Sequence, residues 1–144
     1  MSLAGYADYK ESGIKWLGVV PAHWPGPKPI GAVSSLKGRL GWQGLKADEY
    51  QSDGPYVVSS AHFSEHQVRW DDCPRVSLER YEIDANIQLA EGDVLLMKDG
   101  AAMGKLAYVE TLPGPACINS HLLLFRPLEN GGKKAYAPKF AFYF

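Results

Sequence analysis

The stretch EGDVLLMKDGAAMGKLAYV, residues 91–109, decides the fold class. Glu91-Gly92 signals a turn, and Asp93 to Met97 after it reads as a buried β-strand. Lys105 to Val109 reads as its hairpin or near-hairpin partner across the Asp99-Gly100 turn. Outward from this pair, Cys117-Ile118 and Leu122 to Phe125 continue the β pattern, interrupted by Asn119-Ser120-His121. Tyr56 to Ser60 reads as a short strand bounded by Gly54-Pro55. Ser77 to Tyr81 predicts a short helix with Ser77 as N-cap, with Arg80 where a full capping box has glutamate. From Tyr9 to Pro29, aromatic residues alternate with prolines, among them Trp16, Pro21, Trp24, Pro25, Pro27 and Pro29. Prolines that dense remove backbone donors and fix φ, so this stretch is expected to lie extended after one short helical turn. Past Pro138, Lys139 to Phe144 predicts the first turns of a helix. The expected class is α+β: a loop-rich single domain with many short, mostly antiparallel strands and few short helices. Such scaffolds place their function on loops.

Composition bounds the answer further. A chain of 144 residues with 46% hydrophobic and 12% aromatic content suits one domain with a real core. Its longest apolar runs, such as Leu122 to Phe125, fall far short of the ~20 residues of a membrane-spanning helix, so no membrane association is expected. No basic, apolar and small-residue segments follow one another as in a secretory signal. The two cysteines, Cys73 and Cys117, form no CxxC pair, which argues against a zinc ribbon and suits a reducing, cytoplasmic setting. The net charge of −1 hides an uneven distribution. Residues 1–46 hold six Lys/Arg and two Asp/Glu, residues 47–93 three and eleven, and residues 94–144 six and three. Basic ends flank an acidic middle, compatible with one basic surface if the ends meet, or with an ordinary solvated exterior.

Most catalytic readings fail on spacing. Gly100 to Leu106 suggests a phosphate loop, yet only three residues separate its glycines and Leu106 replaces the metal-binding hydroxyl. A tight loop presenting Lys98 and Lys105 to a phosphate remains. His62 and His66 have i,i+4 spacing but lack the glutamate of the zinc-protease motif and an obvious third ligand, so no metal is expected. Glu79, Glu82, Asp84, Glu91 and Asp93 invite a Mg-dependent nuclease reading, against which stands a solvated acidic face. Cys117 and His121 have no orienting third residue, so thiol catalysis is rejected.

The glycine-rich loop with Arg39, Trp42, Gln43 and Lys46 combines cations for phosphate, an amide able to read adenine and an aromatic wedge. Trp42 fits a core position as well as a wedge. Ser59, Ser60, His62, Asn119, Ser120 and His121 add short polar side chains at strand ends. On the residues alone, a nucleic acid, a carbohydrate or a protein would each fit these loops.

Several segments together narrow the choice. Tyr9-Lys-Glu-Ser-Gly-Ile-Lys-Trp-Leu-Gly18, running on to Pro21-Ala-His-Trp24, resembles the opening of the specificity subunit of type I restriction-modification systems. Arg39-Leu-Gly-Trp-Gln-Gly-Leu-Lys46 with Tyr50 resembles the loop that follows. Glu79-Arg-Tyr-Glu82, Glu91-Gly-Asp-Val-Leu-Leu96, Lys98-Asp-Gly-Ala101 through Gly104-Lys105, and Ile118-Asn-Ser120 resemble its later blocks, in the family's order. The resemblance implies an N-terminal target-recognition domain over residues 9–137, preceded by a tail at 1–8 and followed at 138–144 by the start of a truncated spacer helix. It implies sequence-specific recognition of one half of a bipartite double-stranded DNA target, without catalysis in this chain. Arg39, Lys46, Lys98 and Lys105 would then contact phosphates, and Gln43, Ser60, His62, Asn119, Ser120 and His121 would read base edges. The implied partners are modification (methyltransferase) subunits and, through the complex, restriction subunits. S-adenosylmethionine, ATP and Mg would serve those subunits, and this chain would hold no cofactor. A Mg-dependent nuclease and a protein-interaction module are the alternatives.

Overall fold

The computed structural model describes residues 5–39 and 44–143. The chain divides into two compact units, Met1–Ala32 and Val33–Phe144. In the first, β1 (Tyr9–Glu11) pairs antiparallel with β2 (Val19–Pro21), Tyr9 opposite Pro21. The expected helical turn joins them, with the Leu17 and Gly18 amides donating to the Ile14 carbonyl. The stretch is therefore a hairpin over part of its length and not extended throughout, because Pro21 sits at a strand end where its missing N–H costs little. The division between the units falls within the four-residue helix α1 (Ile30–Val33).

The second unit carries the core. Its strands are β3 (Ser34–Gly38), β4 (Gln51–Val58), β5 (Phe63–Ser64) and β6 (Gln67–Val68). After helix α2 (Leu78–Glu82) come β7 (Val94–Met97), β8 (Leu106–Tyr108), β9 (Ala116–Ile118) and β10 (Leu122–Pro127). A small hairpin of β11 (Glu129–Asn130) and β12 (Lys133–Lys134) precedes helix α3 (Pro138–Tyr143). The architecture is α+β, with short and mostly antiparallel strands.

The main sheet has the order β3-β10-β7-β8, antiparallel throughout. Its two central strands are the most apolar, and Leu124 lies opposite Leu95 with both enclosed. β4 and β9 form a separate parallel pair, Val57 opposite Cys117 and Val58 opposite Ile118. Val57, Val58 and all of β9 are buried and join Val76, Ile87, Leu95 and Leu122 in one core. Enclosing each large aliphatic side chain contributes about 1.5–3 kcal/mol. Ser77 caps α2 as its sequence predicts, its Oγ accepting from the Arg80 amide at 3.1 Å.

Close packing dictates one glycine. At Gly54 φ is +115°, and a Cβ there would lie 2.3 Å from the Val76 carbonyl oxygen. Only glycine lets the 74–76 segment run against β4, where Val57 donates to Pro74 O and Val76 to Pro55 O. The β5–β6 turn takes a harder route. Glu65 and His66 both have positive φ, in a mirror-image turn that ordinarily favours Asn-Gly. His66 is held by the Tyr108 amide at 2.8 Å and by the Phe142 ring, 5.2 Å between centroids.

One member of the supposed solvated acidic face is interior. Asp93 is 1% exposed and takes two 2.7 Å hydrogen bonds from the Arg126 guanidinium, while the Ala90 amide donates to the same carboxylate. Removing Arg126, whose own side chain is 42% exposed, would leave the Asp93 charge buried without its partner, a loss of about 3 kcal/mol. Among the described residues, no helix is long and apolar enough to cross a membrane.

Candidate functional site

Strand order brings most of the polar candidates to one end of the second unit. Because β4 and β9 are parallel and in register to Val58 and Ile118, the residues after them leave the pair together. The Asn119 amide donates back to Val58 O at 2.9 Å. The three-residue turn Asn119-Ser120-His121 then reverses the chain into β10, whose first residue, Leu122, lies opposite Met97, the last of β7. His121 and Lys98 are consequently neighbours, joined by the Lys98 amide to His121 O at 3.0 Å. Lys105 precedes β8 and reaches across, its Nζ donating to Ser60 O at 3.3 Å and Phe63 O at 3.2 Å. β3 ends at the same level, where a Cβ on Gly38 would lie 3.8 Å from Lys98 Nζ. Ser60, His62, Lys98, Lys105, Asn119, Ser120 and His121 are thus gathered on adjoining strand ends.

The turn is rigidly wired. Asn119 Oδ1 accepts from the His121 amide at 3.1 Å. The His121 ring passes its Nδ1 to the Asp99 carboxylate at 2.6 Å, tying this turn to the β7–β8 loop. Both side chains stay substantially open to solvent, 61% for His121 and 48% for Asp99. Asp99 is a residue that sequence reasoning missed as a site member. Twenty-two positions separate it from His121, and no local signal links them before the strands pair.

The β7–β8 loop binds itself. Gly104 donates to Met97 O, Met103 to Gly100 O and Lys105 to Ala102 O, with Gly100 and Gly104 at φ +83° and +91°. These amides are satisfied within the loop and do not point together at a ligand, unlike those of a nucleotide-binding loop. Met103 stands 71% exposed at the loop.

His62 is half-buried and its polarity is fixed by the backbone. The Ser59 amide donates to its Nδ1 at 3.0 Å, so the ring proton resides on Nε2. Burial holds its pKa below the ordinary histidine range, followed in effect by Asp72, which opposes the shift, and Arg69, which adds to it. His66 does not share its environment, since it turns toward Phe142. Among the described residues, no group of three or more His, Cys, Asp or Glu side chains is arranged to hold a metal ion.

The four residues of the glycine-rich loop stand differently. Arg39 is corrected from a phosphate contact to an interior strut. It is 1% exposed, with Nε donating to Ile118 O at 3.1 Å and an Nη to Cys117 Sγ at 3.4 Å. Burial lowers its pKa and raises that of Cys117, which stays a thiol. Lys46 is exposed in another neighbourhood, its amide held by Glu49, which in turn receives Arg80 at 2.6 Å. Gln43 and Trp42 lie outside the described residues.

No protein-family model matches the chain, and no curated protein matches it.

Proposed function

We propose that this chain recognises double-stranded DNA in a sequence-specific way, as the N-terminal target-recognition domain of a type I restriction-modification specificity subunit. The observation that carries the reading is the convergence of Ser60, His62, Lys98, Lys105, Asn119, Ser120 and His121 on one set of strand ends. The ordered sequence resemblance along the chain supports it independently.

In this reading Lys98 and Lys105 position the duplex through its phosphates, which carry no sequence information, and the short polar side chains meet base edges. Arg39 takes no part in contact and holds β3 against β9. The chain reads one half of a bipartite site and performs no chemistry. Methylation and cleavage fall to modification and restriction subunits, which use S-adenosylmethionine, ATP and Mg. Affinity in the assembly is shared with those partners, since linked binding elements raise effective concentration without new contacts in this chain.

The test is an exchange. Methylated sites are mapped in cells expressing a complete system in which this domain replaces the native one. The reading predicts that one half-site changes and the other is kept. An unchanged methylation pattern would contradict it.

A further inference from the structure

We infer that the Asn119-Ser120-His121 turn reads a hydrogen-bond acceptor beside a donor, the pattern of adenine N7 and N6 in the major groove or of O6 and N4 across a G·C pair. The inference rests on the DNA reading above and goes beyond it by assigning base chemistry to two side chains. It follows from which atoms the fold has already engaged.

The His121 amide can only donate, so the Asn119 atom that meets it at 3.1 Å is the oxygen. No described residue accepts the Asn119 Nδ2 hydrogens, and the side chain is partly exposed. Asn119 therefore offers a donor. A carboxylate only accepts, so the proton between His121 and Asp99 sits on Nδ1. In the neutral ring the other nitrogen, Nε2, is then an acceptor, on a side chain that is largely exposed. Ser120, between them, has a hydroxyl that rotates to donate or accept and so discriminates little. The backbone thus sets Asn119 as a donor, and two residues away the neutral His121 ring, held through Nδ1 by the carboxylate, offers Nε2 as an acceptor. A guanine edge alone, with two acceptors at N7 and O6, would set a lone pair against His121 Nε2.

Two measurements test this. In a long-range proton–nitrogen spectrum of the chain at neutral pH, with His121→Gln to assign the signals, His121 should show the Nδ1-protonated neutral form. A ring protonated at Nε2, alone or together with Nδ1, overturns the inference and leaves the DNA reading intact. In the second, duplexes the chain retains from a random library are bound by the parent and by Asn119→Asp. This change keeps the oxygen that holds His121 and replaces the donor with an acceptor. Discrimination between retained duplexes and their single-base variants should fall about tenfold or more at one position. At that position 7-deazaadenine weakens binding if the adenine edge is read, and 2-pyrimidinone in place of cytosine does so if the G·C edge is read. Unchanged discrimination in Asn119→Asp overturns the inference while the DNA reading stands. If the parent chain prefers no sequence, the DNA reading falls and takes the inference with it.

Discussion

His121 Nδ1 lies 2.6 Å from Asp99 Oδ1, and that contact ties the turn between β9 and β10 to the β7–β8 loop. An exposed pair of this kind contributes only about 0.2–1 kcal/mol to folding. Asp99→Ala should therefore shift the melting temperature little while loosening the turn that presents Asn119 and His121. Sequence discrimination in duplex binding is expected to drop with near-native stability. Loss of both together, or of neither, would remove Asp99 from the site.

Lysine and arginine should separate cleanly in a salt titration. If Lys98 meets a phosphate as proposed, Lys98→Ala should shrink the slope of log affinity against log salt by about 0.9. Lys105→Ala should do the same and also destabilise the fold by about 1 kcal/mol, since its Nζ holds the Ser60 and Phe63 carbonyls. Arg39→Ala should lower stability by about 2 kcal/mol or more and leave the salt slope of the folded protein unchanged. A reduced slope in Arg39→Ala would return that residue to the DNA face.

Stability should depend on pH through His62. Its folded pKa is lowered, chiefly by burial, so the unfolded chain takes up the proton more readily. The neutral ring's contribution is complete above the ordinary histidine pKa of about 6.5 and is lost as pH falls toward the lowered folded value. Melting temperatures measured between about pH 7 and 5 should decline in the parent and decline less in His62→Asn. Parallel curves would mean that the ring is solvated in both states.

Two glycines of opposite character test the packing. Gly54→Ala would force a Cβ to 2.3 Å from Val76 O at φ +115°, and should destabilise by about 3 kcal/mol or more in urea unfolding. Gly131, at φ +56° in the β11–β12 turn, has open space around it. Gly131→Ala should cost only about 1–2 kcal/mol, the backbone penalty alone. Equal losses would show that the approach at Gly54 relaxes.

The strands β7 to β10 and the Ser77 cap were legible because each is specified locally, by an apolar run between turn residues or by one hydroxyl at a helix start. The parallel pairing of β4 with β9 was not, since nothing in either run names a partner distant in the chain. Pro21 misled in the same way, because its pairing with Tyr9 is decided across the hairpin. Arg39 and Asp93 both sit beside glycines, where charged residues ordinarily face water. Their burial depends on Ile118 O and on Arg126, the latter 33 residues away. Each polar site residue could be picked out singly as a strand-end side chain. Their meeting is a consequence of strand order, and Asp99 entered the site only through it.

Sequence-specific recognition by the chain is read out in a single selection on random duplexes. The chain is incubated with a random duplex library at low and at moderate salt, and the retained DNA is sequenced. One family of related sequences should be enriched at both salts while total retention falls as salt rises. Equal retention of all sequences, or no retention at low salt, would contradict it.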